Sequence, residues 1–514
     1  MTKGESRGVS ARITATEENR MRMAVPLLRV AVVCLAVSTA ACRVSPPAEP
    51  VLPFTLPATF AAEPSGAFEP AERWWVAFED ERLNRFVDTA LVRNPGLAQA
   101  IARARIAEAR VRSTGADALP QVGIGLNSTR QRQNLSGLGL SDLAGDMAIL
   151  SNNHNAALDI SWELDLWGRL SALSASARAE FLASGEQLRA MRQSVAAQIT
   201  QLYFDIAHAR AQVELSEDTV MALEEMARQI NNRVQVGIAS PADGMLADAN
   251  LGSAQAGLEQ RHEALAVSVR QLEILMGNYP AGNLQTSATL PAVPATPSAG
   301  VPAQLLARRP DVRAAELALI GAGYQLGAAK RSFLPSFSLT GSGGYSGSDF
   351  SELFNSGNLV WSIGGRIVQP IFQGGRLVAQ VDIAEGQRDE TLNAYVETAL
   401  TALAEVESRL AVEGLLARRE QVLDGSASAA EEAVRVSYNR YLQGIDPFLN
   451  VLESQQRALD GRSAHITARH ARIENRIALH LALGGGFESD SPSVLAVTPA
   501  GAGRLSTHPR EEPR

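Results

Sequence analysis

Leu158-Asp159-Ile160-Ser161-Trp162-Glu163-Leu164-Asp165-Leu166-Trp167-Gly168-Arg169 changes its period within twelve residues. Leu158, Ile160, Trp162, Leu164 and Leu166 alternate with Asp159, Ser161, Glu163 and Asp165, the two-residue period of a strand with one apolar and one charged face. A strand whose apolar face meets hydrocarbon and a strand of a soluble sandwich give this same alternation. From Gly168 the pattern turns helical and meets no proline before Pro241, so one helix is predicted over 168–236. At 1.5 Å per residue it extends about 100 Å, several times the ordinary helix length. Leu188, Val195, Leu202 and Ala209 recur every seven residues along it, as do Ile199, Ile206, Val213 and Val220. Sustained sevens mean coiled-coil packing. Gly237 to Pro241 breaks the helix, and a return helix is predicted over 242–276.

Upstream of this stretch, Leu83, Phe86, Val87 and Ala90 form one helical stripe, and an Ala/Arg/Glu-rich helix follows from about Pro95 to Ala118. After Pro120, Val122, Ile124 and Leu126 alternate with Gly123, Gly125 and Asn127, giving the first strand of a β-hairpin over about 120–167. Downstream, the Pro/Ala/Thr-rich segment 284–302 reads as a linker between residues 73–283 and 303–487. Those two segments repeat each other. Pro95 matches Pro310 and Pro120 matches Pro335 at an offset of 215; Gly168 matches Gly375 and Gly237 matches Gly444 at 207. The first half therefore has eight extra residues between its proline and its Gly-Arg, expected at the tip of a hairpin. The second half supplies a hairpin over about 335–374, with Phe337 and Leu339, then Leu359, Trp361, Ile363 and Ile367, on its apolar face. A long helix over 375–443 and a return helix over 447–483 follow. Each half is helix, β-hairpin, very long helix, tight turn and return helix. Four strands cannot close a barrel, and open edges cannot lie in lipid, so a membrane barrel would need several chains.

Composition narrows the function. Aromatics are 5% of the 514 residues against 46% for the apolar class, as in long packed Ala/Leu/Val helices. The net charge is −8 with no basic face, which excludes nucleic acid as a partner. The two cysteines, Cys34 and Cys42, share one N-terminal stretch, so neither a disulfide framework nor a cysteine-ligated metal site is possible. Arg20, Arg22 and Arg29 precede the apolar run Val30 to Ala41, a signal-peptide core within residues 1–41; Met21 and Met23 are alternative starts. Thr39-Ala40-Ala41-Cys42 resembles a lipobox with Thr39 where leucine is usual, and Cys42 is the expected lipidation site. An ordinary signal peptide cut there is the alternative. The proline-rich residues 42–72 read as an extended arm, and 488–514 as a disordered tail.

Trp162 to Arg169, Ala307-Arg308-Arg309-Pro310-Asp311-Val312, Pro370-Ile371-Phe372-Gln373-Gly374-Gly375-Arg376 and Ala482-Leu483-Gly484-Gly485-Gly486 resemble the recurring motifs of the TolC-like outer-membrane efflux family, in its OprM/NodT-like lipoprotein branch. The resemblance covers roughly Arg73 to Phe487. It implies a homotrimer in outer-membrane lipid, with a twelve-stranded β-barrel and a periplasmic α-helical barrel. It also implies a periplasmic adaptor and an inner-membrane RND pump as partners, with the chain as a passive exit duct for drugs or other small molecules. Gly168, Arg169, Gly374, Gly375 and Arg376 then mark the barrel-to-helix junctions. Gly237, Gly444 and Asp446 mark the hairpin tips, and the resemblance implies that Tyr441 and Asp243 bond them together. Leu449 and Glu453 are four apart on one helix face, and the resemblance implies that they ring the pore, where three carboxylates would favour cations; the alternative is that Leu449 is ordinary coiled-coil core and Glu453 a solvated surface acid. Gln456 stands where the resemblance leads one to expect an arginine able to pair with them.

Enzyme chemistry finds no support. The seven histidines are scattered in sequence, no H-E-x-x-H or phosphate loop occurs, and the glycines at 341, 343, 344 and 347 miss the dinucleotide spacing. No cofactor and no metal is expected. Cargo readings other than small molecules are type I protein secretion and metal-ion efflux; against soft-metal export, the nine methionines are dispersed. A non-channel reading, a periplasmic adaptor or structural coiled coil, explains the helices but not an amphipathic strand pair at the same place in each repeat.

Overall fold

The computed structural model describes residues 52–61, 73–134, 148–287, 289–484 and 487; Cys42, the apolar stretch before it and the tail 488–514 lie outside these. In chain order the elements are α1 (Glu81–Arg93), α2 (Pro95–Ala116), β1 (Gln121–Asn134), β2 (Ala148–Leu164), α3 (Arg169–Gln235), α4 (Pro241–Leu275), α5 (Pro302–Arg308), α6 (Pro310–Arg331), β3 (Ser336–Gly347), β4 (Leu359–Val368), α7 (Arg376–Leu442) and α8 (Phe448–Ala482). The chain divides into two compact units, and the described residues of the first fall within Ala107–Phe181 and Leu317–Asn393.

That first unit holds one antiparallel sheet in the order β1-β2-β3-β4. Its register carries the sequence alternation across all four strands. Ile124 pairs with Leu158, Leu158 with Gly343 and Gly343 with Trp361, and Val122, Ile160, Gly341 and Ile363 form the next row. One face is therefore apolar, and within the single chain it is bare: Ile124 is 88% exposed, Ile363 82% and Trp361 74%. Asp159, Ser342 and Ser362 lie in one row of the opposite face. A soluble sandwich would cover the apolar face with a second sheet, and the single chain has none among its described residues. β1 and β2 have 14 and 17 residues against 12 and 10 in β3 and β4. The extra length of the first hairpin, expected in a loop, thus lies at least partly in longer strands, where each added residue still finds a cross-strand partner. Residues 148–153 of β2 pair with β1 alone.

The second unit, Val51–Ile106, Leu182–Glu316 and Ala394–Arg514, has helices and irregular segments but no strand among its described residues. Both seven-residue stripes of α3 are turned inward: Val195, Ile199 and Ile206 are fully buried, and Leu188, Val213 and Val220 nearly so. Around the middle of α3 pack Trp74, Trp75 and Phe78 of a short 3-10 turn, Leu83, Val87 and Ala90 of α1, Leu272 of α4, and Ile473 and Ile477 of α8. Burying each such side chain contributes roughly 1.5–3 kcal/mol. A second cluster joins Phe60 of the N-terminal arm to Leu305, Val406, Leu479 and Leu483. Arg309 links the family-like motifs there, giving hydrogen bonds to Asp311 at 2.7 Å, Glu405 at 2.8 Å and the Ala482 carbonyl at 3.0 Å. A third cluster, of Met226, Ile230, Ala247, Tyr441, Phe448 and Val451, gathers residues near the two helix-to-helix turns.

Candidate functional site

The two turns share one backbone solution. At the first, Ile238 N–H donates to the Arg233 carbonyl at 2.8 Å and Gly237 N–H to Val234 at 3.0 Å; at the second, Ile445 donates to Arg440 at 3.0 Å and Gly444 to Tyr441 at 2.9 Å. This double closure is the Schellman motif, whose left-handed residue is glycine because a Cβ there strains the backbone. Gly237 and Gly444 have φ of 75° and 74°.

Side chains then join the turns to each other. Tyr441 Oη donates to Asp243 Oδ2 at 3.3 Å, across from α7 to α4. The Tyr441 ring lies 5.3 Å from that of Phe448, with the Arg233 guanidinium 5.6 Å from its centre. Burial chiefly, and then the Asp243 charge, push the Tyr441 hydroxyl pKa up against the pull of Arg233, so it remains a proton donor throughout the physiological range. Arg440 pairs with Asp446 at 2.6 Å and holds that carboxyl below its ordinary 3.8. Of the residues singled out in the sequence, the fold thus brings Tyr441 to Asp243 and sets Asp446 against Arg440. Leu449 and Glu453 share one exposed face of α8, with Leu449 54% exposed. Glu453 meets Arg457 of its own helix at 3.4 Å, while Gln456 donates to Asp460. Sequence reasoning passed over Arg233, Arg457 and the bond from the Tyr438 hydroxyl to Gln229. Arg457 was visible as an i,i+4 partner of Glu453; Arg233 and Gln229 had no local signal.

The strand-to-helix junctions, in the first unit, differ more. At the first, Asp165 accepts from Leu170 N at 3.0 Å and from Ser171 N at 2.7 Å, capping α3; Gly168 has φ 75° and Arg169 pairs with Glu163 at 2.7 Å. β2 accordingly stops at Leu164, two residues short of the alternation through Leu166, because the Asp165 carboxylate satisfies helix amides. At the second, Gly374 and Gly375 both have positive φ, Arg376 bonds Gln373 at 2.7 Å, and Ile371 and Phe372 stand 89% and 88% exposed. Cys42 lies outside the described residues.

The open four-stranded sheet with its bare apolar face, the repeated hairpins and the very long helices belong to a chain that matches one known family along most of its length. The model of the family described as outer membrane efflux protein matches residues 86–278 and 301–485. This chain belongs to that family. It is 31% identical over 486 residues to the outer membrane protein OprJ of Pseudomonas aeruginosa, covering 91% of this chain and 98% of that one. It is 29% identical to the cation efflux system protein CusC of Escherichia coli O6:H1, over 88% of this chain and 98% of that one. The crystal structure of the Campylobacter jejuni CmeC outer membrane channel superposes with a TM-score of 0.80 at 25% identity, covering 88% and 96%. The chain is an efflux channel of the outer membrane and extends into the periplasm. It works as a trimer with a periplasmic adaptor and an inner-membrane RND pump, and it is not an enzyme. Its strands contribute to a twelve-stranded barrel and its long helices to an α-helical one.

Proposed function

We propose that this efflux duct carries small organic molecules, and that it is shut at rest where its long helices turn, by a ring of Leu449 above or below a ring of Glu453. The contact from Tyr441 to Asp243 carries this reading, since it ties the second turn to the first return helix, and Tyr441 also packs on Phe448, which starts the helix that bears Leu449 and Glu453. Three leucines around a narrow axis resist wetting, and three carboxylates beside them select cations. Opening would part Tyr441 from Asp243 while leaving both Schellman turns intact, since those bonds lie within one connection each. Arg457 takes the place of the absent arginine at 456, screening Glu453 from within its own helix. Dispersed methionines favour organic cargo over soft metal ions. Cys42 would carry the lipid anchor.

Single-channel recordings test the gate. Leu449→Ala combined with Glu453→Ala is expected to raise conductance and abolish cation preference; unchanged conductance and selectivity would defeat the assignment. Cargo is tested by deleting the gene: sensitivity to dyes and organic solvents should rise, whereas sensitivity to copper or silver alone would reverse the reading. Mass spectrometry of the mature N-terminus should find a lipidated Cys42.

A further inference from the structure

The seven histidines are scattered along the sequence, yet folding brings two of them together on facing helices. α3 supplies Asp205 and, one turn on, His208; α8 supplies His470 and, one turn on, Glu474. His470 Nε2 lies 2.8 Å from Asp205 Oδ1 and is the nitrogen placed to take an ion; Glu474 Oε2 lies 3.8 Å from the other ring nitrogen, Nδ1, so Glu474 reaches a shared ion by a side-chain rotation. One donor atom from each of Asp205, His470 and Glu474 lies within 4.8 Å of the other two. We propose that these three residues form a binding site for a divalent cation of the zinc class, which fastens α3 to α8.

The donor set selects the ion. Two carboxylates and one imidazole offer hard oxygen and borderline nitrogen, which suits zinc and its first-row neighbours; soft monovalent copper and silver ask for sulfur, and calcium and magnesium for oxygen alone. The two carboxylates balance a double positive charge. Zinc-to-donor distances near 2.0 Å put neighbouring donors about 3.3 Å apart in a tetrahedron, so the Asp205–His470 contact needs to open by about half an ångström. The imidazole is anchored: the His470 side chain is 11% exposed and stacks on His208 at 4.6 Å, with 24° between the rings. His208 in turn touches the Thr467 hydroxyl at 3.3 Å, so it serves as a positioning residue rather than a fourth ligand. The carboxylates are more open, Asp205 at 34% and Glu474 at 40%, which gives the ion a way in and leaves a coordination position for water. Gln201 donates to Glu474 at 3.3 Å and holds it toward the cluster. The opposing feature is Arg261, whose charge acts on His208.

Equilibrium dialysis and calorimetric titration of zinc test the site on the tag-free, EDTA-stripped, full-length trimer in detergent, with cobalt(II) as an optical probe. The expected result is one zinc per chain and a visible cobalt band, with His470→Gln and Glu474→Gln each weakening zinc binding about tenfold or more. His465→Gln, which alters another histidine of α8 that faces Asp424 at 3.5 Å, should leave binding as it was. No zinc binding tighter than about 100 μM, or a Glu474→Gln trimer that binds as the parent does, would overturn the proposal. So would equal loss in the His465→Gln trimer. Glu474→Gln keeps an oxygen toward Gln201, and if His470→Gln does not assemble, that variant alone decides.

Discussion

The two helix-to-helix turns have the same backbone and different side chains. Both close with the same pair of hydrogen bonds around a left-handed glycine. Around that shared frame, the first turn reads Gly237-Ile238-Ala239-Ser240-Pro241, with Ser240 capping α4 through Ala242 N at 3.2 Å and Pro241 exposed. The second reads Gly444-Ile445-Asp446-Pro447-Phe448, with Asp446 tied back to Arg440 and Phe448 driven into the core at 2% exposure. The strand-to-helix junctions diverge likewise, a capping Asp165 in one half standing where the other has exposed Phe372. Duplication kept what the backbone needs and released the side chains to specialise, and the second turn became the one fastened into its surroundings.

Substitutions at paired positions can break that contrast. The largest effect is expected from Phe448→Ala, about 3–5 kcal/mol of local stability for a buried aromatic, against almost none for Pro241→Ala; thermal unfolding of the two variants side by side measures it. If both turns proved equally sensitive, the second would not be the fastened one. Next comes Asp165→Ala, expected to cost about 1–2 kcal/mol and to speed hydrogen exchange at Leu170 and Ser171 about tenfold, while Phe372→Ala leaves the first amides of α7 unchanged. Gly237→Ala and Gly444→Ala should cost about 1 kcal/mol each, and equally, because neither glycine's missing Cβ would touch anything within 4 Å and only backbone strain is at stake. Tyr441→Phe should lose about 0.5–1.5 kcal/mol and loosen the second turn against α4, read as faster exchange at both turns.

The smallest effect is expected at Asp446. Arg440 lowers its carboxyl pKa in the folded chain, so the pair's contribution is fully present above 3.8 and is lost as pH falls through the depressed folded value. Asp446→Asn should therefore shift the melting temperature slightly and by the same amount at pH 7 and pH 5. A shift that disappears already at pH 5 would show that the pair is not formed.

Much of this was legible in the sequence because periodicity is a local signal. The stripes through Val195 and Ile206 and the alternation through Ile160 and Trp162 needed no partner to be read, and the glycines at 237 and 444 announced the turns. The duplicated helix, hairpin and long-helix pair followed from those signals, while the trimeric twelve-stranded barrel came only from the family resemblance. Asp165 was misplaced because a capping aspartate and a charged strand residue have the same one-residue signature. The separate short helix Pro302–Arg308 was missed because its seven residues carry too little period to distinguish from the start of the next helix. Contacts across sequence were out of reach. Arg476, 1% exposed and bonded to Glu413 at 2.9 Å, lies 63 residues from its partner, and His470 lies 265 from Asp205. Nothing local records either pairing.

The open sheet also sets the genetics of this channel. Within one chain β1 and β4 each pair on one side only, so a closed wall requires every chain in a trimer to offer both edges in order. A chain whose β4 cannot pair is then worse than a missing one, because it enters assemblies and spoils them. With equal amounts of sound and edge-blocked chains mixing at random, only about one trimer in eight is built wholly of sound chains. A proline placed in β4 should therefore act dominantly, and a single mutated copy beside a normal one should leave the cell nearly as sensitive as deletion does.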